Sequence, residues 1–233
     1  MSKPKSFQGF YRLIDNPEDW QPLLAEPDKH WRTGYSAKAL AHCWQESRDF
    51  PPEVRRVFRK SSIDVFQDIE MLAAFPEYKV PLPGGPQASQ NDIFILAKGA
   101  GQLVSITVEG KVSEPFGDTI AEWKAHAGGG KETRLRYLCN LLGLDPASVN
   151  HVRYQLLHRT ASALIEAEKF NAPNALMLVH SFSREDESFD DYERFLALLG
   201  VTGRPNSVVL TKNIHGVNLY LGWVRGNRKY LAR

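Results

Sequence analysis

The chain has 233 residues, 42% hydrophobic and 24% charged, which is the composition of a soluble globular protein able to bury a core without disulfides or a structural metal. A formal charge of +2 excludes a global field for polyanions, so any nucleic-acid affinity has to come from a local basic surface. Cys43 and Cys139 form no C-x-x-C pair and the seven histidines show no H-x-x-x-H or H-E-x-x-H spacing, which argues against a zinc centre.

The first residues lack the apolar run of a signal peptide, and no stretch has the length of a membrane span, so a cytoplasmic protein without a membrane partner is expected. Residues 1–60 are expected to form an N-terminal helical extension packed on a core of residues 61–233. Within it Ser36 caps a helix over 36–46, and Pro51-Pro52 opens another through residue 59. The spacing of Ile63, Phe66, Ile69 and Ala73 predicts a helix over 62–74. The breaker-rich stretch that follows, Val80-Pro-Leu-Pro-Gly-Gly-Pro86, excludes a regular helix or a central strand.

Residues 92–98 read as a strand apolar on both faces, and Gly99-Ala-Gly101 turns the chain into a second strand over 103–112. There Val104, Ile106, Val108, Gly110 and Val112 point one way, and Ser105, Thr107, Glu109 and Lys111 the other. Helical patterns cover 118–126, 132–142 and 146–170. A buried strand over 175–181, a helix over 189–199 and strands over 208–211 and 217–224 complete the chain. This order predicts an α/β protein with a mixed sheet flanked by helices.

Glu109 and Lys111 are two apart on a strand and share a face, while Gly110 between them leaves its carbonyl open to a ligand. Asp92 begins the preceding strand, which a meander places alongside. Two carboxylates with one lysine make a hard oxygen site suited to Mg²⁺, with Mn²⁺ as substitute. Such a cation neutralises phosphate charge and acidifies bound water, and a nearby lysine orients that water.

Asp92, sixteen intervening residues and then Glu109-Gly110-Lys111 resemble the motif of the PD-(D/E)xK, or restriction-endonuclease-like, nuclease superfamily: an acid at a strand start, a variable spacer, and acid-x-Lys on the next strand. Asn91 stands where that motif has proline. The resemblance covers an αβββαβ core over residues 61–182. It implies a restriction-endonuclease-like mixed sheet and Mg²⁺-dependent hydrolysis of DNA phosphodiester bonds. Asp92, Glu109 and the Gly110 carbonyl would bind metal, and Lys111 would position the attacking water. It further implies an assisting acid on the helix before the sheet, Glu70, and a polar residue on the helix after the third strand, Gln155. Arg159 is one turn on, sharing a face with Ser162. DNA is the implied partner, and a homodimer is an assembly open to the fold. The alternative is a non-catalytic nucleic-acid- or protein-binding module of the same fold.

Other signals carry less. Gly128-Gly-Gly-Lys131-Glu-Thr133 has Ala125 and Glu132 where a phosphate-binding loop needs glycine and Ser or Thr, so no nucleotide cofactor is expected. His42-Cys43 reads as packing, and no G-x-S-x-G elbow occurs. The basic clusters Arg55, Arg56, Arg59, Lys60 and Arg225, Arg228, Lys229, Arg233 either follow a phosphate backbone or are solvated faces.

Overall fold

A computed structural model describes residues 14–126 and 128–233, so residues 1–13 of the expected N-terminal extension lie outside the described residues. The elements in chain order are a 3-10 turn Pro17–Leu23, α1 Pro27–His30, α2 Ser36–Ser47, α3 Pro52–Lys60, α4 Asp64–Gln67, β1 Glu70–Val80, β2 Ser89–Gly99, β3 Gln102–Lys111, α5 Ile120–Ala125, α6 Lys131–Leu142, α7 Tyr154–Lys169, β4 Asn174–Ser181, α8 Phe189–Leu198, β5 Ser207–Ile214, β6 Val217–Arg225 and a final 3-10 turn Arg228–Ala232. The six strands make one open mixed sheet in the order β1-β2-β3-β4-β6-β5. Strands β1, β2 and β3 form an antiparallel meander, β4 runs parallel to β3 and to β6, and β5 closes the far edge antiparallel to β6. Among the described residues no helix is long and apolar enough to cross a membrane.

Each face of the sheet carries its own core. On one side α6, α7 and α8 bury Leu138, Leu157, Leu164 and Phe195 against Met177, Val179, Leu221 and Trp223. On the other, Leu40, Cys43 and Trp44 of α2 and Val54, Val57 and Phe58 of α3 pack on Ile93, Ile95, Val104, Ile106 and Val108. The segment to residue 60 is therefore one wall of the core: without it a uniformly apolar sheet face would meet water.

The helix expected over 62–74 is the main departure. Helix α4 stops at Gln67, and β1 takes Glu70 to Val80. Pairing along β2 outweighs the helical spacing of Met71-Leu72-Ala73-Ala74, and Pro76 is tolerated because β1 is an edge strand whose missing N–H faces away from β2. Helix α7 is also shorter than the span expected over 146–170. Residues 146–153 form turns instead, where Arg153 bridges Thr119 and Tyr154 N–H donates to the Asp118 carbonyl (2.9 Å).

Candidate functional site

The polar row of β3 divides its work between structure and site. Ser105 Oγ donates to the Ala163 carbonyl (2.8 Å) and Thr107 Oγ1 to the Arg159 carbonyl (3.1 Å), which fixes α7 across the strand. That docking aims the first two turns of α7 at the last residues of the row. Gln155 Oε1 accepts from Lys111 Nζ (2.8 Å), and Gln155 Nε2 donates to Glu109 Oε1. Arg159 Nε donates to Glu109 Oε2 at 2.6 Å. Lys111 Nζ also lies 3.1 Å from Glu109 Oε1 and 4.7 Å from the Phe116 ring centroid. Glu109 and Lys111 are each 3% exposed and Arg159 is 7% exposed, so this is a buried network.

Asp92 closes the constellation from β2. Ile93 lies opposite Val108, so the next positions set Asp92 beside Glu109 just where the β2–β3 ladder ends. Asp92 Oδ2 accepts the Gly110 N–H at 2.7 Å. A Cβ at Gly110 would sit 3.2 Å from Leu40 Cδ2 and 3.3 Å from that same Oδ2, so glycine lets α2 and Asp92 close on the strand together. The Lys111 carbonyl is taken by Phe182 N–H on the β4 side (2.7 Å). Carbonyls alternate along a strand, so the Gly110 carbonyl points to the β2 side, where the ladder has stopped.

A third acid, Glu77, was not read from the sequence. Pro76 opposite Ile93 and Tyr78 opposite Asn91 bracket it against Asp92. Its backbone is left-handed (φ 51°), a conformation costing about 1–3 kcal/mol in a non-glycine residue and concentrated at functional sites. Gln90 Nε2 donates to Glu77 Oε2 (2.7 Å) and steadies it. Glu70, expected on a helix beside the site, instead opens β1 opposite Lys98, six positions from Asp92 along β2 and roughly 20 Å away at a strand's rise. It is exposed and does not join the others.

Asp92, Glu77, Glu109, Gly110, Lys111 and Gln155 line one cavity of about 600 Å³. Burial, and then the charges of Glu109 and Glu77, push the Asp92 carboxyl well above the usual range, against the pull of Arg159 and the Gly110 N–H. Burial raises Glu77 to about 7, offset in part by Gln90 and Arg159. Glu109 goes the other way: burial opposes its charge, but Arg159 and Lys111 outweigh that and lower it. Three carboxylates thus face two cations. Glu114, lining the same cavity, keeps Oε1 buried with no hydrogen-bond partner among the described residues. Asp92, Glu109 and the Gly110 carbonyl are the oxygen groups here that could hold a hard divalent cation, although both Glu109 oxygens are already engaged by Lys111, Gln155 and Arg159.

Among the described residues, Cys43, Glu53 and His180 are the one group of three His, Cys or acidic side chains whose ligand atoms lie within 4.8 Å of one another. Its hydrogen bonds favour a structural role. Trp44 Nε1–H donates to His180 Nδ1 (3.1 Å), which turns Nε2 toward Glu53 Oε1 at 3.6 Å. The same oxygen accepts from Cys43 Sγ (3.5 Å) and Asn227 N–H (3.1 Å). Burial opposes the Glu53 charge, yet His180 and the backbone N–H groups of Glu53 and Asn227 hold its carboxyl down at about 2, and burial pushes the Cys43 thiol up. The group ties the C-terminal turn to α2 and α3.

The glycine-rich loop before α6 is accounted for without a phosphate. Lys131 Nζ donates to the Trp123 and His126 carbonyls, and Gly130 packs so closely on Gly84 that a Cβ would lie 2.3 Å from the Gly84 carbonyl. In the basic clusters Arg55 pairs with Asp49, Arg225 with Asp186, and Lys229 and Arg233 with Glu46.

No curated protein and no solved structure matches the chain. A family model described as "Domain of unknown function (DUF6946)" matches residues 13–228, and the chain belongs to that family.

Proposed function

We propose that this protein is a Mg²⁺-dependent phosphodiesterase of the restriction-endonuclease-like type that hydrolyses DNA. The observation that carries the reading is the convergence of Asp92, Glu109, Gly110, Lys111 and Gln155, from two strands and a helix, on one cavity. Further support comes from the sheet, whose meander β1-β2-β3 continues into a parallel β4 after α7, matching the order expected of an αβββαβ core.

When bound, the cation neutralises charge on the phosphate and lowers the pKa of a coordinated water. Asp92 and Glu109 would hold it through carboxylate oxygens. Gln155 keeps the Lys111 ammonium at the end of β3, where it orients the attacking water and offsets charge growing on phosphate oxygens. Arg159 and Lys111 keep Glu109 ionised throughout.

One observation favours a second reading, a non-catalytic nucleic-acid-binding module. Both oxygens of Glu109 are already engaged, Oε1 by Lys111 and Oε2 by Arg159, an arrangement complete without a cation. Incubation with plasmid, linear duplex and single strands separates the two. The hydrolase is expected to cut in Mg²⁺ or Mn²⁺ and to be silent in EDTA. Cleavage that persists in EDTA contradicts the site, and DNA binding without cleavage in any metal favours the module.

A further inference from the structure

The site cavity has two unlike sides. Its floor is the buried polar network of β2, β3 and α7, and its wall is the N-terminal segment, with Leu24, Ala25, His30, Tyr35 and Ala37 lining it. The wall is held firmly. Gln90 Nε2 reaches from β2 beside the site to the Leu23 carbonyl (3.4 Å), and Trp20 Nε1 donates to Gln45 of α2 (3.4 Å). Leu40, Cys43 and Trp44 root α2 in the core.

Tyr35 stands apart on this wall. Of the four large apolar side chains exposed among the described residues, Tyr35, Leu72, Tyr137 and Leu210, only Tyr35 lines the cavity. It is 46% exposed, although its backbone is pinned: its N–H donates to the Arg32 carbonyl and its own carbonyl accepts from Ala39, each at 3.1 Å. An aromatic ring on a pinned backbone thus keeps a wet face while lining a polar pocket. Arg32 and Lys38 flank it on the same segment.

Resting on the phosphodiesterase reading, we infer that the substrate is a single strand or an unpaired end, with Tyr35 as a stacking platform for a base next to the reacting phosphate. The reacting group has to reach Lys111, which is 3% exposed at the bottom of a cavity of about 600 Å³ walled on one side. A rigid duplex carries its phosphates on the outside of a broad cylinder and meets the wall first. A single strand can lower one nucleotide to the floor while its base stays at the rim. Every base has a π face, so an exposed tyrosine holds it without reading sequence.

The test is binding, which needs no turnover. Labelled oligothymidylate and a blunt duplex of equal length are titrated with the full chain in Ca²⁺, while cleavage of both is followed in parallel in Mn²⁺. The wild type is expected to bind the single strand about tenfold more tightly than the duplex. Tyr35→Ala should lose about tenfold on the single strand alone, and Tyr35→Trp should retain the affinity. Single-strand binding that depends on Tyr35 without any cleavage supports the platform and removes the hydrolase. Equal binding by wild type and Tyr35→Ala, a preference for duplex, or no binding of either probe overturns the platform. If duplex is cut all the same, the hydrolase stands without it.

Discussion

Replacing Arg159 by leucine lowers the stability of the metal-free protein by about 3–5 kcal/mol near neutral pH, as expected when one member of a buried ion pair is removed. The guanidinium Nε sits 2.6 Å from Glu109 Oε2, and both side chains are at least nine-tenths buried. Leucine refills the stem of the side chain but leaves the carboxylate with only Lys111 and Gln155, and Ser89 Oγ loses its 3.2 Å donor. The deficit depends on pH with a definite sign. The Glu109 pKa in the fold lies below its ordinary 4.5, so the paired carboxylate contributes stability above that value and loses it as the pH falls further. The gap between wild type and Arg159→Leu should therefore be widest near neutrality and narrow below pH 4.5. Urea unfolding in EDTA at both pH values measures it. Equal midpoints near neutrality would show that Arg159 does not hold Glu109.

The second large effect falls on rate. Lys111→Ala should reduce Mn²⁺-dependent cleavage about 10²–10⁴-fold, the span associated with losing a positioned proton-transfer or charge-stabilising group. The groups proposed to hold the cation, Asp92, Glu109 and the Gly110 carbonyl, remain, so Mn²⁺ should still raise the melting temperature of the variant by mass action. Retained metal stabilisation with lost turnover is the signature of a group that handles water and phosphate. Cleavage by Lys111→Ala at the wild-type rate removes the lysine from the reaction.

What the sequence disclosed of this site follows strand geometry. The alternation of Ser105, Thr107, Glu109 and Lys111 places them on one face from spacing alone, and a short turn from β2 to β3 brings Asp92 close. The third acid of the meander, Glu77, was hidden because β1 was. Met71, Leu72, Ala73 and Ala74 fit a helix as well as a strand, and Pro76 beside Glu77 looked like the start of a loop. Only the pairing of β1 with β2 decides between them, a contact between distant residues that no local window contains. Glu70 failed for the same reason, since a helix over 62–74 would have carried it elsewhere.

The helix side was half legible. Gln155 could be assigned to the site because the helix following β3 has to pack beside that strand, and it does donate to Glu109 and accept from Lys111. Arg159 could be placed on the same face but not at Glu109. Its reach depends on the depth at which Ser105 and Thr107 hold α7, a distance set by two hydroxyl contacts. Arg159 and Glu77 together change the electrostatics from one lysine against two acids to two cations against three acids.

The most direct test of the central claim is anomalous scattering from a crystal soaked in Mn²⁺, collected for the wild type and for Asp92→Asn. A peak is expected between the Asp92 and Glu109 carboxylates and against the Gly110 carbonyl, present in the wild type and lost in Asp92→Asn. A wild-type crystal with no peak there, Asp92 still bound to the Gly110 N–H and Arg159 still closed on Glu109, would contradict it.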